Sequence, residues 1–148
     1  YQLAHAAYAE AEAALAHILG QKQGGCPPMP RCTYTIPCFA SVGLTTAAAA
    51  QEGYEPLLGT FPYEGNGMAL AEGASGAVFA VIDKASYKTL GITIVGEQAS
   101  ELIAFAALAV DKALTVAEWE RMIVAHPSLA EMVREAALDA VGRAVHKA

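Results

Sequence analysis

The order of local patterns along this chain predicts an α+β domain, in which helices pack against an antiparallel β-sheet of about four to five strands. Helix-like stretches lie at both ends of the chain, and strand-like stretches lie between them. Two apolar strands, Ala77–Ile82 and Leu90–Val95, are joined only by the polar residues 83–89, which suits an antiparallel hairpin and is too short for a parallel crossover. With 148 residues and no internal repeat, the chain is expected to form one domain with its own core.

The N-terminal part of the chain predicts a helix, a loop and an edge strand. From Leu3 to Leu19 the sequence is alanine-rich, with apolar residues at helical spacing, and Gly20 ends the pattern as a C′ glycine does. Residues 21–31 are dense in Gly, Pro and Gln and therefore predict a surface loop. Thr33–Val42 predicts a strand, and Pro37 within it indicates an edge or a bend because proline cannot donate to a sheet ladder.

The remaining elements flank the central hairpin. Before it we predict a short helix, a strand, a turn and a further short segment: Thr45–Gly53, Leu57–Tyr63, Gly65–Gly67 and Met68–Glu72. After it we predict three helices: Ala99–Lys112, Val116–Val124 and Leu129–Val145. The first of these helices is apolar almost all round, so we expect it to be buried or to lie in an interface. In the second, Trp119, Met122 and Ile123 are spaced as a core face, which favours packing over a substrate site.

The composition argues against several classes of function. Apolar residues make up 55% of the chain and charged residues only 16%, below the roughly 25% of an average domain. We therefore expect a partner to cover part of the surface. The net charge of −6 and the absence of a Lys/Arg cluster argue against nucleic acid. The longest apolar stretch, Leu102–Val110, is far short of the roughly 20 residues of a membrane span, so we expect a soluble protein with no membrane partner.

The N-terminus and the cysteines predict the compartment. The chain begins at Tyr1 without a charged and then apolar leader, so we expect no signal peptide. It also lacks an initiator Met, so we expect a segment excised from a longer protein. Cys26, Cys32 and Cys38 are odd in number and evenly spaced, which matches neither C-x-x-C metal spacing nor a closed set of disulfides. We therefore expect reduced thiols and a cytoplasmic location. A thiol or metal site at these cysteines is the weaker alternative.

The most informative motif is His126-Pro127-Ser128-Leu129-Ala130-Glu131. A histidine and a carboxylate flank the predicted start of the last helix, so the carboxylate can fold back and orient the imidazole as a general base. The alternative is structural, because Ser128 and Glu131 have the spacing of a capping box. Thr115 and Glu118 repeat that spacing before the preceding helix. Spacing alone favours the structural interpretation of Glu131, since capping boxes are common at helix starts.

Short motifs spread in order over most of the chain carry a family resemblance. They are Leu3-Ala4-His5, Tyr34-Thr35-Ile36-Pro37 with Ala40–Thr45, Asn66-Gly67 with Ala69 and Ala71, Leu90-Gly91-Ile92 with Ile94–Gly96 and Ala99–Ile103, and His126-Pro127-Ser128 with Glu131. Together they resemble the C-terminal dimerisation (interface) domain of the FAD-dependent pyridine nucleotide-disulfide oxidoreductases, and the dihydrolipoyl dehydrogenase branch more than the glutathione reductase branch. By this resemblance residues 1–148 are one dimerisation domain, with 1–20 a flavin-side helix, 21–31 a loop and 32–148 the α+β body.

The resemblance implies roles for the residues of the C-terminal motif. His126 would be the catalytic base that takes a proton from a dithiol substrate such as a dihydrolipoyl group. Glu131 would hold the imidazole in the right tautomer and stabilise its protonated form. Pro127 would fix the turn that presents His126, through a cis peptide bond.

The resemblance also implies a cofactor side. Leu3, Ala4 and His5, together with Pro127, would be the cofactor-binding residues, although a packing role suits His5 equally well. The two further histidines, His17 and His146, are expected at solvent-facing helix positions.

Cofactors and partners follow from the same resemblance. The parent enzyme would use FAD and NAD, and it would form a homodimer in which the His126–Glu131 pair enters the dithiol/disulfide site of the other subunit. This chain contains neither G-x-G-x-x-G after a strand nor a Cys-x-x-x-x-Cys pair. We therefore expect the FAD and NAD domains to lie elsewhere in the parent chain. The isolated chain is expected to be inactive and to bind no cofactor.

Departures from the family pattern leave the substrate open. Cys38 stands where the family commonly has Glu, Met68 replaces the usual Arg, and Val124 replaces a His that dihydrolipoyl dehydrogenases often carry. An alternative from another class is a stand-alone, non-catalytic homodimerisation module of the same fold. The length of the open reading frame would distinguish the two.

Overall fold

The computed structural model describes residues 1–21 and 24–147. This part of the chain contains six α-helices and five β-strands, connected by loops and turns. The helices are α1 Ala4–Ile18, α2 Thr46–Gln51, α3 Gly67–Glu72, α4 Ala99–Asp111, α5 Val116–Arg121 and α6 Glu131–Asp139. The strands are β1 Arg31–Thr33, β2 Phe39–Gly43, β3 Pro56–Pro62, β4 Gly76–Asp83 and β5 Thr89–Gly96. A 3₁₀ turn, Tyr63–Gly65, joins β3 to α3 through Asn66.

The strands form one antiparallel sheet in the order β1-β2-β5-β4-β3. The predicted central hairpin is confirmed: β4 and β5 pair from Gly76 opposite Gly96 to Ile82 opposite Thr89. The α+β fold with five strands is therefore confirmed. The helices pack on this sheet, with α6 against β3 and β4, and α4 against β2 and β5.

The stretch Thr33–Val42 is not the single interrupted strand that its sequence predicts. The chain reverses between β1 and β2, so the two strands form a hairpin in which Cys32 lies opposite Ala40. The Ile36–Pro37 peptide bond in the turn is cis, and the Thr35 hydroxyl donates to the Pro37 carbonyl at 2.7 Å. Pro37 thus lies in a turn, where its missing N–H leaves no gap in a ladder.

The predicted loop 21–31 is shorter than expected. Its last residue, Arg31, already pairs with Ser41 of β2. Gln21 and residues 24–30 have no regular structure, and residues 22 and 23 lie outside the described residues. The helix before the loop, α1, is confirmed, but Leu15 and Ile18 on it are exposed.

The helix α4 buries one face instead of its whole circumference. Ala99, Ile103, Ala106 and Ala109 are buried, whereas Glu101 and Leu108 are exposed. The side chains buried between the helices and the sheet form one core cluster. Of all the described helices, none combines the length and the apolar character that a membrane span requires.

The last two helices are shorter than predicted. Because the backbone becomes extended at Met122, α5 ends at Arg121, and Ile123 is 98% exposed, so its predicted place on a core face is wrong. Trp119 is buried in the core, and Met122 is partly buried and packs against it. After α6, Gly142 takes a positive φ of 70° and the Arg143 N–H donates to the Leu138 carbonyl at 2.9 Å, which closes the helix. His146 therefore lies beyond α6 and not on a helix, whereas His17 is an exposed position of α1, as predicted.

Candidate active site

The turn before α6 holds the predicted catalytic histidine. The His126–Pro127 peptide bond is cis, as the family resemblance implies. Ser128, the next residue, uses three of its groups to hold the turn. Its N–H donates to Glu131 Oε2 at 2.8 Å, its hydroxyl donates to the Ala125 carbonyl at 2.6 Å, and its carbonyl accepts from Asn66 Nδ2 at 2.9 Å.

Glu131, the first residue of α6, makes the contacts expected of both interpretations that the sequence leaves open. Its Oε1 lies 2.9 Å from His126 Nδ1, while its Oε2 accepts the Ser128 N–H. Only half of the capping box is present, because the Ser128 hydroxyl donates to Ala125 instead of accepting from the helix. Thr115 and Glu118 form the complete box at the start of α5. One carboxylate oxygen of Glu131 therefore serves the backbone and the other serves the imidazole.

The electrostatic environment keeps Glu131 ionised. Burial raises the pKa of its carboxyl group, but the Ser128 N–H and the neighbouring His126 outweigh burial, so the pKa lies below its ordinary value. The side chain of Glu131 is 21% exposed, whereas that of His126 is 77% exposed. The ionised carboxylate of Glu131 thus contacts Nδ1 on the buried side of the imidazole. Nε2 of His126 has no hydrogen-bond partner among the described residues and remains at the surface.

The chain after α6 returns to this site. Glu135 is buried, and its Oε2 accepts the N–H groups of Val145 and His146 at 2.7 and 3.0 Å. As a result, His146 shares with His126, Glu131 and Glu135 the wall of a cavity of about 50 Å³. Sequence reasoning missed His146 as a neighbour of the site, because it expected α6 to continue to Val145.

The residues expected on the cofactor side lie on a different element. Leu3 precedes α1, and Ala4 and His5 are its first two residues. Within the described residues, no side chain caps the start of this helix. His5 Nε2 lies 2.8 Å from the Pro30 carbonyl, so this imidazole links α1 to the loop before β1. Of the residues predicted to bind the cofactor, only Pro127 belongs to the His126 turn.

The three cysteines are free thiols. Burial and the neighbouring Cys38 and Glu101 raise the pKa of Cys32. Because the thiolate is the reactive form of cysteine, Cys32 is less nucleophilic than an ordinary thiol. The thiol of Cys38 donates to the Thr33 carbonyl at 3.5 Å. Across residues 1–21 and 24–147, no group of three His, Cys, Asp or Glu side chains is arranged to hold a metal ion.

Known sequences match this chain over nearly all of its length. Dihydrolipoyl dehydrogenase from Halobacterium salinarum is 40% identical over 146 residues, which cover 97% of this chain and 31% of that protein. The enzyme of the same name from Chlorobaculum tepidum is 42% identical over 142 residues, covering 94% of this chain and 30% of that protein. The chain therefore spans about a third of the length of the curated relatives it matches.

Solved structures share the fold. LpdA from Mycobacterium tuberculosis is similar with a TM-score of 0.77 and 26% identity, over 84% of this chain and 28% of that one. A Cu(II) complex of a mutant of RclA, a HOCl-induced flavoprotein disulfide reductase from Escherichia coli, has a TM-score of 0.82 at 19% identity. The match covers 92% of this chain and 32% of the RclA chain, and at this identity it shows only that the two share a fold.

The family profile described as "Pyridine nucleotide-disulphide oxidoreductase, dimerisation domain" matches residues 29–137. The matched range includes the whole sheet, the His126 turn and most of α6. The chain belongs to the family of pyridine nucleotide-disulfide oxidoreductase dimerisation domains.

Proposed function

We propose that this chain is the dimerisation domain of a flavin-dependent, dihydrolipoyl dehydrogenase-like oxidoreductase, and that His126 is the general base of its dithiol half-reaction. The observation that carries the proposal is the 2.9 Å contact between His126 Nδ1 and the lowered-pKa carboxylate of Glu131. A histidine held at Nδ1 by a carboxylate and open at Nε2 has the arrangement of an oriented general base.

The chemistry of the proposed step is a proton transfer followed by thiol–disulfide exchange. His126 Nε2 accepts the proton of one S–H of a dihydrolipoyl substrate, and the electron pair of that bond stays on sulfur. The thiolate then attacks a disulfide outside this chain, one sulfur of which leaves as a thiolate. Throughout, Glu131 stabilises the positive charge that the imidazole acquires, because its carboxylate remains ionised at neutral pH.

The residues on the cofactor side fit a flavin. The first N–H groups of α1, at Ala4 and His5, have no carbonyl partner within the helix, and they carry the positive end of its dipole. Such a helix start suits a hydrogen-bond acceptor edge of a cofactor. FAD, when bound, supplies electron transfer between the dithiol site and NAD. Leu3, Ala4 and His5 would hold it through their backbone, because the imidazole of His5 already contacts Pro30.

We further propose that two copies of this domain form a homodimer, which the dimerisation-domain family supports. The exposed apolar side chains of this chain support it as well, because such surface is usually covered by a partner. They include Tyr34, Ile36 and Ile123. In the proposed dimer, the His126–Glu131 pair of one subunit serves the disulfide site of the other.

Substituting His126→Gln in the intact protein that carries this chain tests the proposed base. Because general base catalysis contributes typically 10²–10⁴-fold, oxidation of a dihydrolipoyl substrate should slow by roughly that factor. Flavin content and melting temperature should stay unchanged, since the His126 side chain is mostly exposed. The matched control is His17→Gln, which removes an exposed histidine of α1, more than a hundred positions before His126 in the sequence, and should keep full turnover. Equal turnover in both variants would refute the catalytic role.

A further inference from the structure

We propose that Asn66 is a positioning residue for His126, because it ties the His126–Ser128 turn to the segment that follows β3. The inference deepens the proposed function and rests on it for its catalytic consequence. Asn66 lies between the 3₁₀ turn after β3 and α3, and it is only 5% exposed.

Both ends of the Asn66 amide are engaged, each with a different element. Its Oδ1 accepts the Ala69 N–H at 2.9 Å and thereby caps α3. Its Nδ2 donates to the Ser128 carbonyl at 2.9 Å, across 62 positions of sequence. A residue needed only as a helix cap has no use for the second bond, which an ionised aspartate could not make because it has no donor, and which the hydroxyl of serine is too short to reach while it caps α3.

The second bond differs in kind from the others that hold the turn. The bonds from Ser128 to Ala125 and Glu131 are local: the first sets the shape of the turn, and the second ties the turn to the start of α6. Leu129 packs in the core and fixes the chain beyond the turn. The bond from Asn66 is the one that connects the turn itself to the segment following β3. Because the His126 side chain is 77% exposed, packing contributes little to holding it.

The positional consequence concerns Nε2 of His126. The contact with Glu131 orients the imidazole of His126, but Nε2 meets a substrate in the right place only if the turn keeps its position relative to the rest of the domain. Misplacement of a reacting group by as little as about 1 Å can lower a rate by about 10²-fold. The Asn66 bond to Ser128 therefore acts on turnover through His126, without contact to substrate.

The substitution Asn66→Ser separates the two roles of Asn66. Serine is an effective helix cap, so α3 should persist, but its short hydroxyl cannot reach both Ala69 and Ser128. In the intact protein that carries this chain, amide hydrogen exchange of residues 123–130 should accelerate by about fivefold to tenfold, as expected for the loss of one hydrogen bond. Exchange in α3 should stay unchanged, and kcat should fall with little change in KM. The matched control, Thr45→Ala, removes the side-chain cap of α2 and should leave residues 123–130 and kcat as they were.

The two readouts distinguish this inference from the proposed function. Faster exchange at residues 123–130 together with a lower kcat supports both. Faster exchange with an unchanged kcat would overturn Asn66 as a positioning residue, and it would leave the base role of His126 to be decided by the His126→Gln variant. Unchanged exchange at residues 123–130 in Asn66→Ser overturns the inference, whatever happens to turnover. If Asn66→Ser does not fold, Asn66→Asp, which also keeps a cap acceptor and lacks the donor, takes its place with the same expected results.

Discussion

At the scale of single residues, the site depends on how Glu131 divides its two carboxylate oxygens. One oxygen accepts the Ser128 N–H and the other contacts His126 Nδ1. The spacing of the motif left two alternative interpretations of Glu131, as a helix cap or as a catalytic partner. In three dimensions they do not compete, because a carboxylate offers two oxygens with several acceptor positions.

The substitution Glu131→Gln should separate catalysis from stability. Glutamine has one carbonyl oxygen, so it can keep the bond to the Ser128 N–H, as glutamine does in capping boxes, but it cannot stabilise a protonated imidazole. We therefore expect a clear loss of turnover in the intact protein with a change of melting temperature of only a few degrees. The control is Glu118→Gln at the capping box of α5, which has no histidine partner and should leave turnover intact. Unchanged turnover in Glu131→Gln would restrict Glu131 to a capping role.

The lowered pKa of Glu131 also predicts how stability depends on pH. In the folded state the carboxyl group titrates below its ordinary value of 4.5, so folding favours the ionised form. The resulting stabilisation is complete above the ordinary pKa and is lost as the pH falls through the folded value. The difference in unfolding free energy between the wild-type chain and Glu131→Gln should therefore be constant near neutral pH and shrink at acid pH. Denaturant unfolding as a function of pH measures it, and a difference that grows on acidification would contradict the assignment.

At the scale of elements, the close approach of β3 and α6 places the site on the sheet. Gly59 of β3 lies against the backbone of α6, where a Cβ atom would overlap the Ala136 carbonyl oxygen and lie 2.5 Å from the Ala140 nitrogen. The Thr60 N–H, next in the strand, donates to Asp139 Oδ2 at 2.8 Å. Because α6 begins with Glu131, the contact that positions α6 on β3 also positions the Glu131 carboxylate that contacts His126.

The substitution Gly59→Ala should therefore be costly. The added methyl group meets backbone atoms, which cannot rotate away, so we expect a loss of at least about 1–3 kcal/mol in unfolding free energy. The matched control is Gly67→Ala in the first turn of α3, where a Cβ atom meets nothing within 4 Å and alanine favours the helix. Denaturant unfolding of both variants makes the comparison. Equal stability of Gly59→Ala and the wild-type chain would show that β3 and α6 can separate without cost.

At the scale of the whole molecule, the chain has a core of its own and also carries surface that suits a partner. Core side chains from the sheet, α4, α5 and α6 form one cluster. Outside it, Ile36 is fully exposed, and the exposed residues Leu15 and Ile18 belong to α1. In the proposed oxidoreductase, a second subunit and the flavin and nicotinamide domains would cover these residues.

We expect the isolated chain to form a symmetric dimer and to bind no flavin. Light scattering should give about twice the mass of 15.3 kDa, and the dimer fraction should rise with concentration by mass action. The purified protein should be colourless, because the chain lacks the G-x-G-x-x-G fingerprint of a dinucleotide site. Monomers alone at all concentrations would count against the dimer, and stoichiometric bound flavin would contradict the second expectation.

The sequence by itself determined the features that depend on local pattern. Helical spacing predicted α1, alternation of apolar strands with a short polar connection predicted the β4–β5 hairpin, and the Thr115–Glu118 spacing predicted the capping box of α5. The contact between His126 and Glu131 belongs to the same class. All of these features join residues that are close in sequence, so the local order of residues is enough to predict them.

Only the tertiary structure decided the features that join distant segments. The reversal of the chain at Pro37, the end of α6 before residue 140 and the exposure of Ile123 all differ from the local pattern. The bond from Asn66 to Ser128 has no sequence signal beyond the family motif that contains Asn66. The physical reason is that the bond from Asn66 to Ser128 and the pairing of β2 with β5 join residues tens of positions apart, which become neighbours only once the sheet and α6 have packed together. The hairpin at Pro37 and the turn at Gly142 are local, but the apolar pattern of the sequence runs through them without marking where the element ends.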